Sequence, residues 1–313
     1  MTDAFVVARP YEKWGAVPQA FVAFGLNLPL HQQPKRAIHE PGAWLSLTTG
    51  DELSFAAAVR WVHSTTVARA SAIIVHNLDE QIGDALAANL SAYHTHLHLE
   101  RVSLESPQYA ALLAHGRQSL NTIRFFILRD MLDRGMLAGD AYLVLTDLTD
   151  VVFTADPFEY MRTLDMKRAH LRLQRGAPES LYVGYEERTS WKWWNVTLHR
   201  CFGAAHTRQI LQQTPLRSHR LLSCGVVAGS IRVLRRLLDE MVGKLGSAHH
   251  PICDMAALHA VTAAQPHSYH LVHGHPWNCP YRARYREGCI VAHKTTGVDL
   301  GPAFGGVSTP RSI

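Results

Sequence analysis

The chain has 313 residues, 47% of them hydrophobic and 18% charged, enough apolar material for a sizeable core and too little charge for a disordered chain. The net charge is +5, but the basic residues are scattered. This excludes a Lys/Arg-rich nucleic-acid arm and suits a small anionic substrate. The five cysteines (Cys201, Cys224, Cys253, Cys279, Cys289) are odd in number and form no CxxC pair. That spacing predicts neither a zinc ribbon nor a disulfide framework, but a reducing, cytoplasmic setting. The N-terminal residues carry no basic segment leading into an apolar one, and no transmembrane segment is expected.

Residues 1–43 hold Pro10, Pro18, Pro29, Pro34 and Pro41 and read as an irregular N-terminal extension. The main domain is expected over 44–300, with a C-terminal tail over 301–313. Trp44–Thr48 reads as a short strand ending in Thr49-Gly50, and Asp51 as the cap of a helix with Phe55, Val59 and Val62 at helical spacing. Ser71–Val75 is an apolar strand of the kind covered on both faces. Residues 80–93 read as helix and His94–Val102 as strand. Ser119–Arg134 is a helix striped by Leu120, Ile123, Ile127 and Met131, with Gly135 as terminator. Ala141–Thr146 is the clearest strand. Strands over 221–228 and 269–272 and helices over 230–245 and 251–263 follow. Alternating strands and helices predict an α/β fold, Rossmann-like, with a mostly parallel sheet flanked by helices.

The chemistry concentrates at Leu143-Val-Leu-Thr-Asp147-Leu-Thr-Asp150, followed by Asp156-Pro157-Phe158. An apolar strand delivers two carboxylates at its C-terminal end, where ligands bind in open α/β sheets. Such oxygens suit Mn2+ or Mg2+ held together with phosphate oxygens. A turn held by ordinary aspartate hydrogen bonds is the plainer alternative.

This segment resembles the metal-binding motif of GT-A nucleotide-sugar glycosyltransferases, a strand ending in Asp-x-Asp or Asp-x-x-Asp before Asp-Pro-Phe. Thr149 stands where the strict motif has its second acid. Further resemblances follow in the family's order. Arg124 lies on a helix like the one that lends an Arg to the donor. Ser223-Cys224-Gly225 resembles the small-residue strand beside the donor sugar. Asp254 opens a helix like the family's Asp-Gln helix, whose acid touches donor or acceptor. Asn278 and the stretch His293-Lys294-Thr-Thr-Gly297 resemble the closing Asn and His-x-x-Gly elements.

The resemblance implies Asp147, Asp150 and His293 as metal ligands, because an imidazole is a reasonable Mn2+ ligand beside carboxylates. Asp254 is the candidate catalytic base if the reaction inverts. Donor contacts are implied for Thr48, Thr49, Gly50, Asn77, Arg124, Asp147, Ser223, Gly225, Asn278, Lys294 and Gly297. It also implies a hexosyl or pentosyl transferase that uses a UDP- or GDP-sugar, with a glycan or other hydroxyl acceptor.

Trp193 and Trp194, in Trp191-Lys-Trp-Trp, fall where an acceptor could stack, or serve as a core anchor. His94, His96 and His98 alternate as on one strand face, which more often is merely polar. Two rival readings are a metal-dependent phosphohydrolase, for which Asp51 and Glu52 are a poor nucleophile pair, and a non-catalytic nucleotide- or glycan-binding module.

Overall fold

The structure, a computed structural model, describes residues 19–25, 52–77, 80–114, 118–135, 141–148, 150–175, 178–186, 191–213, 221–264, 267–279 and 288–293. Seven strands make the central sheet: β1 (Gln19–Gly25), β2 (Ser71–His76), β3 (Leu97–Arg101), β4 (Tyr142–Asp147), β6 (Glu179–Glu186), β7 (Leu221–Ser230) and β8 (Tyr269–Val272). Their order is β3-β2-β1-β4-β7-β6-β8. All neighbours are parallel except at β7, which runs against both β4 and β6. A small second sheet, β5-β10-β9, joins β5 (Val151–Phe153), β9 (Asn278–Cys279) and β10 (Val291–His293).

The helices are α1 (Glu52–Thr65), α2 (Glu80–Ser91), α3 (Pro107–Leu113), α4 (Leu120–Asp133), α5 (Pro157–Arg175), α6 (Trp191–Gln213), α7 (Ile231–Gly246) and α8 (Asp254–Ala264). They cover both faces of the sheet, and the strands record this with a period of two. Ala20, Val22, Ile73, Val75, Leu143 and Leu145 face a core shared with α4, α7 and α8. Phe21, Ala23, Ala72, Ile74 and Val144 face a second core with α1, α2 and the small sheet. Phe21 fixes that small sheet, with its ring 4.5 Å from Phe153 and 4.8 Å from Phe158.

Helix ends follow local chemistry. Ser119 Oγ accepts the Thr122 N–H at the start of α4, and Gly135 takes a positive φ of 72° beyond its end, as a left-handed terminator requires. Asp156 Oδ1 accepts the backbone N–H groups of Phe158 and Glu159 at 2.8 and 3.1 Å. The Asp-Pro-Phe element is therefore a helix start, with a cap, Pro in the first turn and a buried anchor at Phe158.

Several expectations differ from what is observed. The strand expected at Trp44–Thr48 lies outside the described residues. An interior strand of the sheet is instead β1, inside the stretch expected to be irregular. Its Gln-Ala-Phe-Val-Ala-Phe-Gly run is short and lies between prolines, so turn signals mask an apolar strand with both faces buried. β3 begins at Leu97, so His94 and His96 precede the strand, and the His96 N–H donates to His94 Nδ1 at 3.0 Å. The three histidines do not share one strand face.

The cysteine reading is also corrected. Cys201 is bonded to Cys253 and Cys279 to Cys289, with Cα atoms 5.7 and 6.0 Å apart. Cys224, buried in β7, is the odd thiol. The partners are 52 and 10 residues apart, so tertiary packing and not a local motif brings them together. The cysteine argument for a reducing compartment therefore falls. No described helix is long and apolar enough to cross a membrane. Thiol titration of the denatured chain is expected to find one thiol without reductant and five after reduction. Five thiols without reductant would contradict both pairings.

Candidate functional site

β4 ends in Asp147 at the C-terminal edge of the parallel strands, level with Phe24 of β1. The chain turns through Leu148 and Asp150 into β5, which pairs antiparallel with β10 so that His293 lies opposite Val151. This register sets His293 beside Asp150, although 143 positions separate them in the chain. Asp147, Asp150 and His293 each offer a ligand atom, all within 4.8 Å of one another.

His293 is 3% exposed. Its Nε2 makes no hydrogen bond and lies 3.6 Å from Asp147 Oδ2 and 3.8 Å from Asp150 Oδ1. Buried nitrogens are normally satisfied. A buried imidazole nitrogen aimed between two carboxylate oxygens fits a divalent cation, and the mixed N/O donor set fits a first-row metal such as Mn2+.

Arg124 reaches the same place from α4. It is buried, with Nη1 hydrogen-bonded to Asp147 Oδ1. Its Nη2 lies 3.3 Å from the Cys224 carbonyl and 3.4 Å from Asp254 Oδ2, at the start of α8. Burial works against the Arg124 charge, but Asp147 and Asp254 outweigh it and hold the guanidinium above its ordinary range. Burial likewise opposes the Asp147 carboxylate, but Arg124 and His293 outweigh it and hold that group well below the usual range. Asp254 goes the other way, because burial pushes its carboxyl up against the pull of Arg124.

β7 closes the site from the other side. A Cβ on Gly225 would lie 2.3 Å from His293 Nε2 and 2.7 Å from Asp147 Oδ2. Only a hydrogen fits there, which gives the small-residue strand a physical reason. The neighbouring Ser223 Oγ accepts the Gly225 N–H at 3.3 Å.

Other expected residues stand apart. Asn278 is fully buried, and its amide bonds to backbone: Oδ1 accepts from Tyr185 N at 3.3 Å and Nδ2 donates to the Val291 carbonyl at 3.2 Å. It brackets β6 to β10. Trp194 is 1% exposed with its ring 4.4 Å from that of His259, so it is the core anchor and not an acceptor platform. The side chain of Trp193, and Thr48, Thr49, Gly50, Lys294 and Gly297, lie outside the described residues. Asn77 follows β2, two strands from β4.

One feature escaped the sequence reading. Arg60 of α1 is close enough for its charge to interact with that of Asp150, and its neighbour Trp61 donates from Nε1 to Thr146 Oγ1 at 2.8 Å. The Arg60-Trp61 pair on a helix is the only signal available, and it is weak. His76, ending β2, is buried under Gly83. Burial, then Arg101, against Asp84, pushes its pKa down to about 4.

A mostly parallel seven-stranded sheet flanked by helices, with one reversed strand beside β4, is a Rossmann-like α/β fold consistent with that of glycosyltransferases. The chain is similar in structure to mouse xyloside xylosyltransferase 1, with TM-score 0.50 and 10% identity over 88% of this chain and 96% of that one. At that identity the likeness concerns the fold alone. No protein-family model and no curated protein matches the sequence.

Gly225→Ala is expected to weaken Mn2+ binding about tenfold or more while the far-UV spectrum stays unchanged, because the methyl meets side chains of the site. Unchanged Mn2+ affinity by titration would count against this packing. His76 remains neutral in the fold down to about pH 4, whereas the unfolded chain binds its proton below about 6.5. Stability is therefore expected to fall by about 3 kcal/mol as pH drops from 6.5 to 4. Denaturant titrations should show that slope, reduced in His76→Gln.

Proposed function

We propose that the chain is a metal-dependent glycosyltransferase that takes a UDP- or GDP-linked sugar and transfers the sugar to a hydroxyl of a glycan or other acceptor. The observation that carries this reading is the buried, unbonded His293 Nε2 facing Asp147 and Asp150 at the ligand-binding edge of a GT-A sheet. In it, Asp147 Oδ2, an oxygen of Asp150 and His293 Nε2 hold Mn2+ or Mg2+. The ion would supply Lewis-acid neutralisation of the departing diphosphate.

The chain's own groups then orient and exclude. Gly225 lets β7 approach the ion's place, and Ser223 lies beside it on the donor side. Thr48, Thr49, Gly50, Asn77, Lys294 and Gly297 are assigned to the nucleotide and its phosphates, and Trp193 to the acceptor. Asp254 was the candidate base for an inverting reaction. Its Oδ2 is turned to a buried guanidinium, so only its other oxygen would be left to take a proton from an acceptor hydroxyl. Retention of configuration, towards which the closing His-x-x-Gly resemblance leans, needs no strong base. The two disulfides favour an oxidising compartment over the cytoplasm.

The test is a turnover screen of UDP- and GDP-sugars with Mn2+ against EDTA, beginning with xylosyl donors because of the mouse enzyme's name. Turnover is expected only with the metal. Asp147→Asn combined with Asp150→Asn is expected to cut it by more than about 100-fold, beyond the usual effect of outer partners. Full activity in the chelator would reject the metal role.

A further inference from the structure

We propose that Arg124 is a positioning residue for the cation and does not bind the sugar donor itself. The inference rests on the metal reading above and goes beyond it. The resemblance suggested a donor contact for Arg124, but the geometry leaves little of the side chain for one. Its side chain is 8% exposed. One arm of the fork is taken by Asp147 Oδ1 and the other by Asp254 Oδ2 and the Cys224 carbonyl. The third nitrogen, Nε, is buried without a hydrogen bond.

Two consequences follow from this placement. First, Asp147 has one oxygen committed to Arg124, so only Oδ2, the atom that faces His293, is offered to the ion. Arg124 thereby selects single-oxygen coordination and fixes its direction, as outer partners of metal ligands do. Second, Asp254 is not among the clustered ligand atoms, yet it touches the group that orients one of them. Position and charge on α8 are coupled to β4 through one guanidinium. Arginine is needed because a planar fork reaches acceptors in different directions, whereas a lysine ammonium on the same stem can satisfy only one side well.

The discriminating variant is Arg124→Lys, which keeps the positive charge and loses the fork. Mn2+ alone is the probe, followed by electron paramagnetic resonance of free and bound ion, with UDP affinity measured separately by calorimetry. Relative to the unsubstituted chain, Mn2+ affinity is expected to fall by about 10- to 100-fold. The bound-ion spectrum should change shape, while UDP affinity without metal stays within about twofold.

Asp254→Asn, close in shape, gives a second route if the lysine variant folds poorly. It is expected to alter the bound-Mn2+ spectrum in the Arg124 chain and to add nothing on top of Arg124→Lys. An unchanged Mn2+ affinity and spectrum in Arg124→Lys overturns the proposal, as does a fall confined to metal-free UDP binding, which marks direct donor contact. If the unsubstituted chain binds no Mn2+, the metal reading fails first and takes this inference with it.

Discussion

Three acids converge at the end of β4, and they can share that space only because a buried arginine stands among them. Asp147 and Asp254 meet the two arms of Arg124, and Asp150 has Arg60 near it. Without those cations, burial and mutual repulsion would drive at least one carboxylate to take up a proton. With them, Asp147 is held ionised, with one oxygen anchored and the other turned towards a buried imidazole. The electrostatics of the fold thus keep Asp147 in its charged form.

The scaffold supplies the geometry by independent routes. Parallel pairing of β4 with β1 brings Asp147 to the sheet edge. Antiparallel pairing of β5 with β10 swings His293 back over Asp150. The reversed strand β7 lays Gly225 against both. Each disulfide ends beside a part of the site: Cys253 precedes Asp254, and Cys289 enters the strand that ends in His293. Asn278 ties the same strand to β6.

Much of this was legible in the sequence, for identifiable reasons. β2, β4, α4 and α7 carry long, consistent apolar patterns with recognisable caps, so period and punctuation agree. The acids after β4 were legible because an apolar strand running straight into Asp147 leaves them at a binding edge. His293 was found through resemblance, since nothing local marks a lone histidine in a short strand. β1 was missed because a seven-residue strand among prolines looks like a loop until its neighbours in the sheet are known. The disulfides were missed because their pairing depends on which distant segments the fold brings together. Asn278 and Trp194 were placed near ligands by order along the chain, whereas burial turned both inward. The sequence marked which segments mattered but not the direction each side chain would face.

The proposed transfer requires a cation between β4 and β10. The most direct measurement is anomalous diffraction from crystals soaked with Mn2+ and UDP. One strong peak is expected at bonding distance from Asp147 Oδ2, an Asp150 oxygen and His293 Nε2, with diphosphate oxygens completing its shell. A peak elsewhere, or UDP ordered at this edge with no metal between it and those three side chains, would contradict it.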